Sequence, residues 1–413
     1  MTSKWAERAR SSPYYPALSH PVFRKVLPGT AASALGDGMS AVAIAWLAVE
    51  LAPPGSRGLW VGAAVAAYSL PGAIGAVALR RWLVGRHGAG LVIVNSVLRA
   101  TALGLVGGLA LAGLLDLPVY VALLGVSSLL AAWGVAGKYT LIADLLPAGQ
   151  RVAGNSVFGL ADQVSLMIGP ALAGAALVIV LDAASWVVLA VSYARIAPTA
   201  ARLAEPGGPP APAATPAATT TSAWATIRSS PVLPGLLALT FVFYLLYGPI
   251  EVALPVHVAT DLHGSAALLG TIWAIFGVGA AIGELSAPFL RRWPVWPVMT
   301  AIVLGWGLAL VPFGLPTPLW IGLAAFTAGA VIWGPWMSLS MGVFQDASPP
   351  GALAQVLAAR SSLLILAAPI GIALGAPLVA ALGARDTLLV SALATIALGL
   401  VTVAALLLAR RAR

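Results

Sequence analysis

Long apolar runs recur along the whole 413-residue sequence and contain few charged side chains. Most are roughly 18 to 25 residues long, the length that a helix needs to cross a bilayer. Hydrophobic residues make up 60% of the chain and charged residues 8%, whereas soluble domains carry about 25% charged residues. The apolar residues are continuous rather than alternating, which favours helices. The sequence therefore predicts an all-α membrane protein whose partner is the lipid bilayer.

The runs divide into about twelve transmembrane helices on the criterion of span length. We expect them at residues 26–50, 58–79, 90–114, 118–142, 154–181, 184–201, 232–258, 266–290, 296–315, 318–343, 352–381 and 386–409.

A polar segment separates the first six predicted spans from the last six. Residues 203–222 read LAEPGGPPAPAATPAATTTS, and their prolines and small residues predict a flexible linker. We therefore expect five regions in chain order. They are a cytoplasmic N-terminal segment (1–25), a six-helix bundle (26–202), a cytoplasmic linker (203–228), a second six-helix bundle (229–409) and a cytoplasmic tail (410–413).

Short motifs repeat between the two halves. GAIGAVALRRW (72–82) corresponds to GAAIGELSAPFLRRW (279–293), and IGPALAG (168–174) corresponds to IGIALG (370–375). The common order indicates duplication, and hence two pseudo-symmetric six-helix bundles. Related six-helix halves are typical of secondary transporters.

Basic residues fall almost entirely on one side of the predicted membrane. Arg80 and Arg81 follow the second span, and Arg291 and Arg292 follow the eighth, whereas the opposite loops hold only Arg57 and Arg385. The positive-inside rule then places both termini in the cytoplasm of a multi-pass protein of the inner (plasma) membrane. The same rule explains the net charge of +9, so we expect no nucleic-acid partner.

Several chemical classes are excluded by what the sequence lacks. There is no cysteine, and the four histidines (His20, His87, His257 and His263) show no metal-ligand spacing. No nucleophile elbow, zinc-protease motif or complete phosphate loop occurs. We therefore expect a protein that is not an enzyme, that uses no cofactor or metal, and that acts as a monomer.

Polar residues inside predicted spans are the candidates for function, because each ionisable one costs about 2.5 to 3.5 kcal/mol at mid-span. Asp37 lies between two glycines that leave room for another helix, and Arg99 is its candidate partner. A structural ion pair or a water-filled vestibule is the alternative explanation for each. The proton and substrate pathway is predicted to use Asp37, Arg99, Asp162, Gln163, Glu251, Glu284 and Arg360.

Three tryptophans are placed where they could line a cavity, namely Trp273, Trp333 and Trp336. The other tryptophans lie near span ends and are expected to be interfacial anchors. His257 is expected at the interface, with proton transfer as the alternative.

The chain resembles the major facilitator superfamily, and most closely its drug:proton antiporter branch, which includes macrolide efflux proteins. Residues 23–40 (FRKVLPGTAASALGDGMS) and 145–174 are similar to the first span and to the connection between spans four and five of that branch. Gly169, Pro170 and Gly174 match the antiporter motif. The loop after the second span keeps Arg86 and Gly88 of another family motif but lacks its acidic residue. The resemblance implies the twelve-helix major facilitator fold and an exporter.

These observations lead to one functional hypothesis with two alternatives. The hypothesis is secondary active export of a hydrophobic or amphiphilic small molecule by proton antiport with alternating access, in which Asp37 or Glu251 binds the proton. A facilitator or proton-coupled importer of a small nutrient is the first alternative. A membrane-embedded sensor or enzyme on the same fold is the second.

Overall fold

The computed structural model describes residues 11–53, 57–168, 175–204, 223–264 and 266–411. These residues form helices and connecting turns, and none of them forms a strand. The predicted all-α fold is therefore confirmed.

Twelve helical segments follow one another along the described chain. They are α1 (Pro21–Leu51), α2 (Arg57–Ser69 and Pro71–Ala78), α3 (Gly88–Leu111), α4 (Leu117–Ser128 and Ala131–Leu145), α5 (Ala148–Ile168), α6 (Ala175–Ala204), α7 (Leu233–Thr260), α8 (Ala266–Glu284), α9 (Val295–Gly314), α10 (Leu319–Trp333 and Trp336–Ala347), α11 (Leu353–Leu364 and Ala367–Leu382) and α12 (Ala384–Arg411). Eight of these segments are long and apolar enough to cross a membrane, and α2 and α8 contain shorter apolar helices.

Short helices connect some of the twelve. They are Tyr15–Ser19, Arg80–Leu83, Ala223–Ser229 and Ala287–Leu290, with a 3₁₀ turn at Pro350–Ala352. The helix Ala223–Ser229 overlaps the end of the predicted linker and buries Ala223 and Ile227. Most of the linker, residues 205–222, lies outside the described residues.

The boundary between the fifth and sixth spans differs from the prediction. The sequence places it at 182–183, but α6 is already helical at Ala175 and continues to Ala204. The prediction was wrong because Asp182 is a charged residue within an apolar run, which resembles a loop. Its carboxylate is instead compensated inside the protein, so the helix passes through it.

The chain contacts divide the molecule into two units. The first contains Met1–Ser230 together with Phe344–Ser362, and the second contains Pro231–Val343 together with Leu363–Arg413. A piece of the second half of the sequence therefore packs with the first unit. The predicted domain boundaries at 202, 228 and 409 remain predictions.

The helix pairs of the first unit centre on α1, α3 and α6. Helix α1 packs on α5 and α6, α3 packs on α4 and α6, and α2 packs on α4. In the second unit, α7 packs on α11 and α12, α9 packs on α10 and α12, and α8 packs on α10. Each pair of the second unit repeats a pair of the first with both helix numbers raised by six. The chain therefore contains two related six-helix arrangements, as the repeated motifs predict.

Glycines of the repeated motif allow one of these pairs to pack closely in both units. A Cβ on Gly75 of α2 would meet the backbone of Leu129 in α4, and a Cβ on Gly283 of α8 would meet the backbone of Val331 in α10. Small residues at such crossings let membrane helices approach each other. This explains why both motifs carry glycine before their arginines.

Candidate functional site

Three helices of the first unit bring together a carboxylate, a phenol and a guanidinium. The Tyr68 hydroxyl of α2 donates to Asp37 Oδ1 of α1 at 2.9 Å. Arg99 Nη2 of α3 lies 3.0 Å from the same oxygen and also donates to the Tyr68 hydroxyl. Charge-assisted hydrogen bonds of this kind are about twice as strong as neutral ones. Arg99 is therefore the partner of Asp37, as its mid-span position predicts.

A second carboxylate, Asp182 of α6, lies next to this group. It is fully buried, and it accepts hydrogen bonds from Ser40 at 2.5 Å and from Ser185 at 3.2 Å. The Arg99 guanidinium packs over the ring of Trp186, one helical turn after Asp182, at 4.3 Å from the ring centroid. Asp182 also interacts electrostatically with Asp37 and Arg99. We call Asp37, Tyr68, Arg99 and Asp182 the carboxylate–arginine cluster.

The glycines on either side of Asp37 allow the cluster to form. A Cβ at Gly36 would meet Asp182 and Ser185 of α6, and a Cβ at Gly38 would meet Ser165 of α5. Ser165 itself donates to the Ala34 carbonyl. Helix α1 therefore approaches two neighbours at the level of Asp37, which is the close approach that the flanking glycines predict.

Charge and exposure differ among the members of the cluster. The side chain of Asp37 is 42% exposed and that of Arg99 is 10% exposed, while Asp182 is inaccessible. Two ionised carboxylates around one guanidinium carry a net charge of −1. One proton, or one positively charged ligand group, would make the cluster neutral, and Asp37 is the member that a ligand can reach.

Sequence reasoning missed Asp182, Tyr68 and Trp186. Asp182 was assigned to a loop, so it was not counted among the intramembrane acids. The apolar run on both sides of it could have identified it, since residues 175–204 form one continuous helix. Tyr68 and Trp186 carry no charge, and only the fold shows that they face Arg99.

Two further predicted residues lie on α5. Asp162 is half-buried and interacts electrostatically with Lys138 of α4 and with Asp37, so it borders the carboxylate–arginine cluster. Gln163 is buried, and its Oε1 has no hydrogen-bond partner among the described residues. The antiporter motif residues Gly169, Pro170 and Gly174 lie outside the described residues.

The remaining predicted ionisable residues lie on helices that do not contribute to the carboxylate–arginine cluster. Glu251 is exposed on α7, two residues after the intrahelical Pro249. Glu284 is buried at the end of α8 and accepts a hydrogen bond from Ser338. Arg360 belongs to the first unit, where its buried guanidinium packs 5.2 Å from the Phe344 ring centroid. The role of each of these three residues in the proton and substrate pathway remains a prediction.

The three candidate cavity tryptophans join ring contacts of the second unit. Trp273 and Trp333 lie 5.7 and 5.5 Å from the ring of Phe276. Trp336 is 1% exposed and packs 4.7 Å from Phe243. These contacts bury much of the aromatic surface, and a role in lining a cavity remains a prediction.

His257 pairs with a carboxylate just beyond the end of α7. Its Nδ1 lies 2.6 Å from Asp261 Oδ2, one helical turn later. This hydrogen bond holds the pKa of Asp261 below its ordinary value. The pair lies at a helix end, and an interfacial position of His257 remains a prediction.

Among the described residues, no group of histidine and acidic side chains has the arrangement of a metal site. The ionisable residues described above are distributed over separate helices, and none forms a nucleophile and base pair. What the carboxylate–arginine cluster can do is exchange a proton or a charged ligand.

Comparisons with known proteins give a family and a fold. The family model for the Major Facilitator Superfamily matches residues 26–364. Among solved structures, the human organic anion transporter MFSD10 (TETRAN) superposes with a TM-score of 0.69 at 14% identity, covering 95% of this chain and 100% of that one. A bacterial homologue of the iron transporter ferroportin, in its outward-facing state, gives 0.68 at 17% identity, covering 92% and 98%.

A third similar structure is the E. coli fucose:proton symporter FucP, with a TM-score of 0.66 at 11% identity, covering 92% of this chain and 97% of that one. No curated protein matches the chain significantly by sequence. At these identities the structural likeness concerns the fold alone.

Proposed function

Because the chain belongs to the Major Facilitator Superfamily, we propose that this membrane transporter exports a hydrophobic or amphiphilic small molecule in exchange for protons. The family supports transport and argues against an enzyme. The direction of transport, the proton coupling and the substrate class are the proposal. The proposal includes a plasma-membrane location with both termini in the cytoplasm, which the distribution of basic residues supports.

The observation that carries the proposal is the carboxylate–arginine cluster. Arg99 is nearly buried in an apolar helix bundle and therefore needs a counter-charge throughout the cycle. Asp37 and Asp182 are both available, so one carboxylate is in excess of the charge that Arg99 requires. Asp182 can balance Arg99 while Asp37 carries a proton. The Asp37 carboxylate can therefore exchange a proton for a ligand while Arg99 keeps Asp182 as its counter-ion.

Exchange at Asp37 gives a simple rule for antiport. A proton and the substrate bind in competition, and each one neutralises the cluster. An empty, charged cluster is costly to close into a dry intermediate, so the two halves reorient only when Asp37 carries one or the other. The rule couples one inward proton to one outward substrate.

Charge balance also favours a class of substrate. A ligand that replaces a proton at Asp37 neutralises the cluster best if it bears one positive charge. Tyr68 lies directly beside Asp37, and its ring already contacts one cation, the Arg99 guanidinium, at 4.9 Å from the ring centroid. We therefore propose an amphiphile with a cationic group as the preferred substrate.

The proton gradient supplies enough free energy for this exchange. One proton gives about 2.3 kcal/mol per 100 mV of membrane potential and about 1.4 kcal/mol per pH unit. A neutral substrate can use both contributions, about 3.7 kcal/mol for 100 mV and one pH unit. Exchange of one proton for one monocationic substrate moves no net charge, so the membrane potential cancels and one pH unit sustains about a tenfold substrate gradient. No nucleotide is required.

The test is transport in vesicles that contain the purified protein. We expect a lipophilic cationic dye to accumulate in vesicles with an acidic lumen, because protons leave as the dye enters. A proton symporter would instead accumulate its substrate in an alkaline lumen, and a facilitator would accumulate it in neither. Addition of a protonophore should abolish the accumulation.

The variant Asp37→Asn should lose gradient-driven accumulation of the cationic dye, because it lacks the carboxylate for which the proton and the dye compete. A melting temperature close to that of the wild type shows that the variant is folded. The control is Glu50→Gln, which removes an exposed acid from the same helix α1. Gradient-driven accumulation by Asp37→Asn at the wild-type level would refute the role of Asp37.

A further inference from the structure

The second unit contains an apolar groove of about 630 Å³ beside the end of α8. It is formed by the start of α9, by α10 near its break, and by the segment that follows α8. Among the residues that line it are Leu290, Trp293, Pro297, Ala301, Val331 and Pro335. The volume falls within the range of ligand pockets, roughly 300 to 1,000 Å³. The groove can therefore hold a sizeable apolar group.

Polar groups are scarce in the lining of the groove, and an arginine lies next to one of the lining residues. The hydroxyl of Ser286 in the lining is already occupied, because it donates to the Gly283 carbonyl at 2.6 Å. The guanidinium of Arg292, an exposed residue, lies 6.0 Å from the ring centroid of Trp293, which lines the groove and marks the end that we call its mouth. A ligand that fits both parts has an apolar body and an anionic head.

Trp293 indicates the depth of this mouth in the membrane. Its side chain is 58% exposed, and exposed tryptophans of membrane proteins lie at the level of the lipid headgroups. Arginine at this level meets phosphate, for which its planar fork of donors is well suited. The groove extends from this level along membrane helices, where acyl chains lie.

The arginine–tryptophan pair recurs in the first unit at the equivalent motif. Arg81 lies 5.6 Å from the ring centroid of Trp82, beside a recess of about 460 Å³ lined by Val77, Ala78, Arg80, Arg81 and Val84. The pair is therefore a property of the duplicated segment. The first recess has fewer apolar walls, so the groove of the second unit is the better chain-binding site.

We propose that the groove binds an acyl chain of an anionic phospholipid and that Arg292 binds its phosphate. The basic side of a membrane protein faces the leaflet that holds anionic lipids, and basic pockets between membrane helices bind their headgroups. The proposal goes beyond the proposed function, because the groove needs neither substrate nor proton gradient.

Native mass spectrometry of the detergent-solubilised protein tests the proposal with phosphatidylglycerol and phosphatidylcholine of identical acyl chains. Wild-type protein should bind phosphatidylglycerol more tightly by about fivefold or more, the factor expected for one basic residue at a membrane surface. Arg292→Gln should remove this preference, and Arg292→Lys should keep most of it. Ala301→Phe fills the groove from an exposed helix position and should weaken binding of both lipids.

The control is Arg195→Gln, which removes an exposed arginine far along the chain from the groove and should leave the preference unchanged. Soluble glycerol phosphate at the same concentration should not displace the lipid, since it lacks the chain. Equal binding of both lipids by the wild type would overturn the proposal. The proposal would also be overturned if Arg292→Gln and Arg195→Gln lost the preference for phosphatidylglycerol equally, or if glycerol phosphate displaced the bound lipid. Because the measurement reads binding alone, its failure leaves the transport proposal intact.

Discussion

Replacing Arg99 by methionine tests the charge balance of the carboxylate–arginine cluster. Methionine keeps much of the length of the side chain but removes the charge, which leaves Asp182 as a buried carboxylate without a cation. Removing one partner of a buried ion pair costs about 3 to 5 kcal/mol. Asp182 retains hydrogen bonds from Ser40 and Ser185, and Asp37 is 42% exposed and hence partly solvated. We therefore expect a loss at the low end, about 3 kcal/mol.

The companion variant Asp182→Asn should cost less. Asparagine can still accept a hydrogen bond from one of the two serines at its single side-chain oxygen, and Arg99 keeps Asp37 as its counter-ion, so we expect a loss of about 1 to 2 kcal/mol. In the double variant the uncompensated charge is absent. Its total loss should therefore fall short of the sum of the single losses by about 1 to 2 kcal/mol, within the coupling energies seen for contacting residues.

The assay is unfolding of the purified variants in mixed micelles, followed by tryptophan fluorescence and completed as a double-mutant cycle. Asp37→Asn combined with Arg99→Met serves as a second cycle, in which the half-exposed acid should show weaker coupling. Losses that add within about 0.5 kcal/mol in the Asp182 cycle would refute the reasoning, since independent sites behave in that way. The buried acid would then not be the counter-ion of Arg99.

Two further predictions concern helix packing and pH. Gly283→Ala should destabilise the protein by about 1 to 3 kcal/mol, because the new Cβ meets the Val331 backbone and a packed helix pair must move apart. The control is Gly270→Ala in the same helix, where the new Cβ has open space; it should be neutral or stabilising by up to about 1 kcal/mol. An equal loss of stability in both variants, measured by thermal unfolding, would contradict the packing argument. The pKa of Asp261 is lowered in the folded protein, first of all by its hydrogen bond with His257, so the ionised carboxylate stabilises the fold. This stabilisation is fully present above the unfolded-state pKa of about 3.9 and is lost as the pH falls through the lower pKa of the folded state. Asp261→Asn should therefore flatten the acid end of a stability–pH curve, and an unchanged curve would count against this pair.

The sequence predicted those parts of the fold that follow from the lipid environment of the helices and from the motifs repeated in the two halves. Continuous apolar runs have one stable form in lipid, so the helices and their order could be predicted. The repeated GAIG and GAAIG motifs indicated two related bundles, and Gly75 and Gly283 do occupy equivalent helix crossings. Flanking glycines likewise indicated a close approach of other helices at Asp37.

What the sequence did not predict depends on contacts between distant residues. Asp182 was missed because a buried charge and a loop charge look the same until the serines that bind it are in place. The ion pair of Asp346 with Arg151 at 2.9 Å lies within the first unit, to which Phe344–Ser362 belongs. Such a contact over 195 residues leaves no local pattern.

The most direct test of the central claim is the release of protons when substrate binds. Purified wild-type protein in weakly buffered detergent solution should release about one proton per molecule of cationic substrate bound, since both compete for the Asp37 carboxylate. Calorimetry in buffers of different ionisation enthalpy measures this number together with the affinity. The account predicts proton release by the wild type and by Glu50→Gln, and weakened binding without proton release by Asp37→Asn. Substrate binding by the wild type with no proton released, or undiminished release from Asp37→Asn, would contradict it.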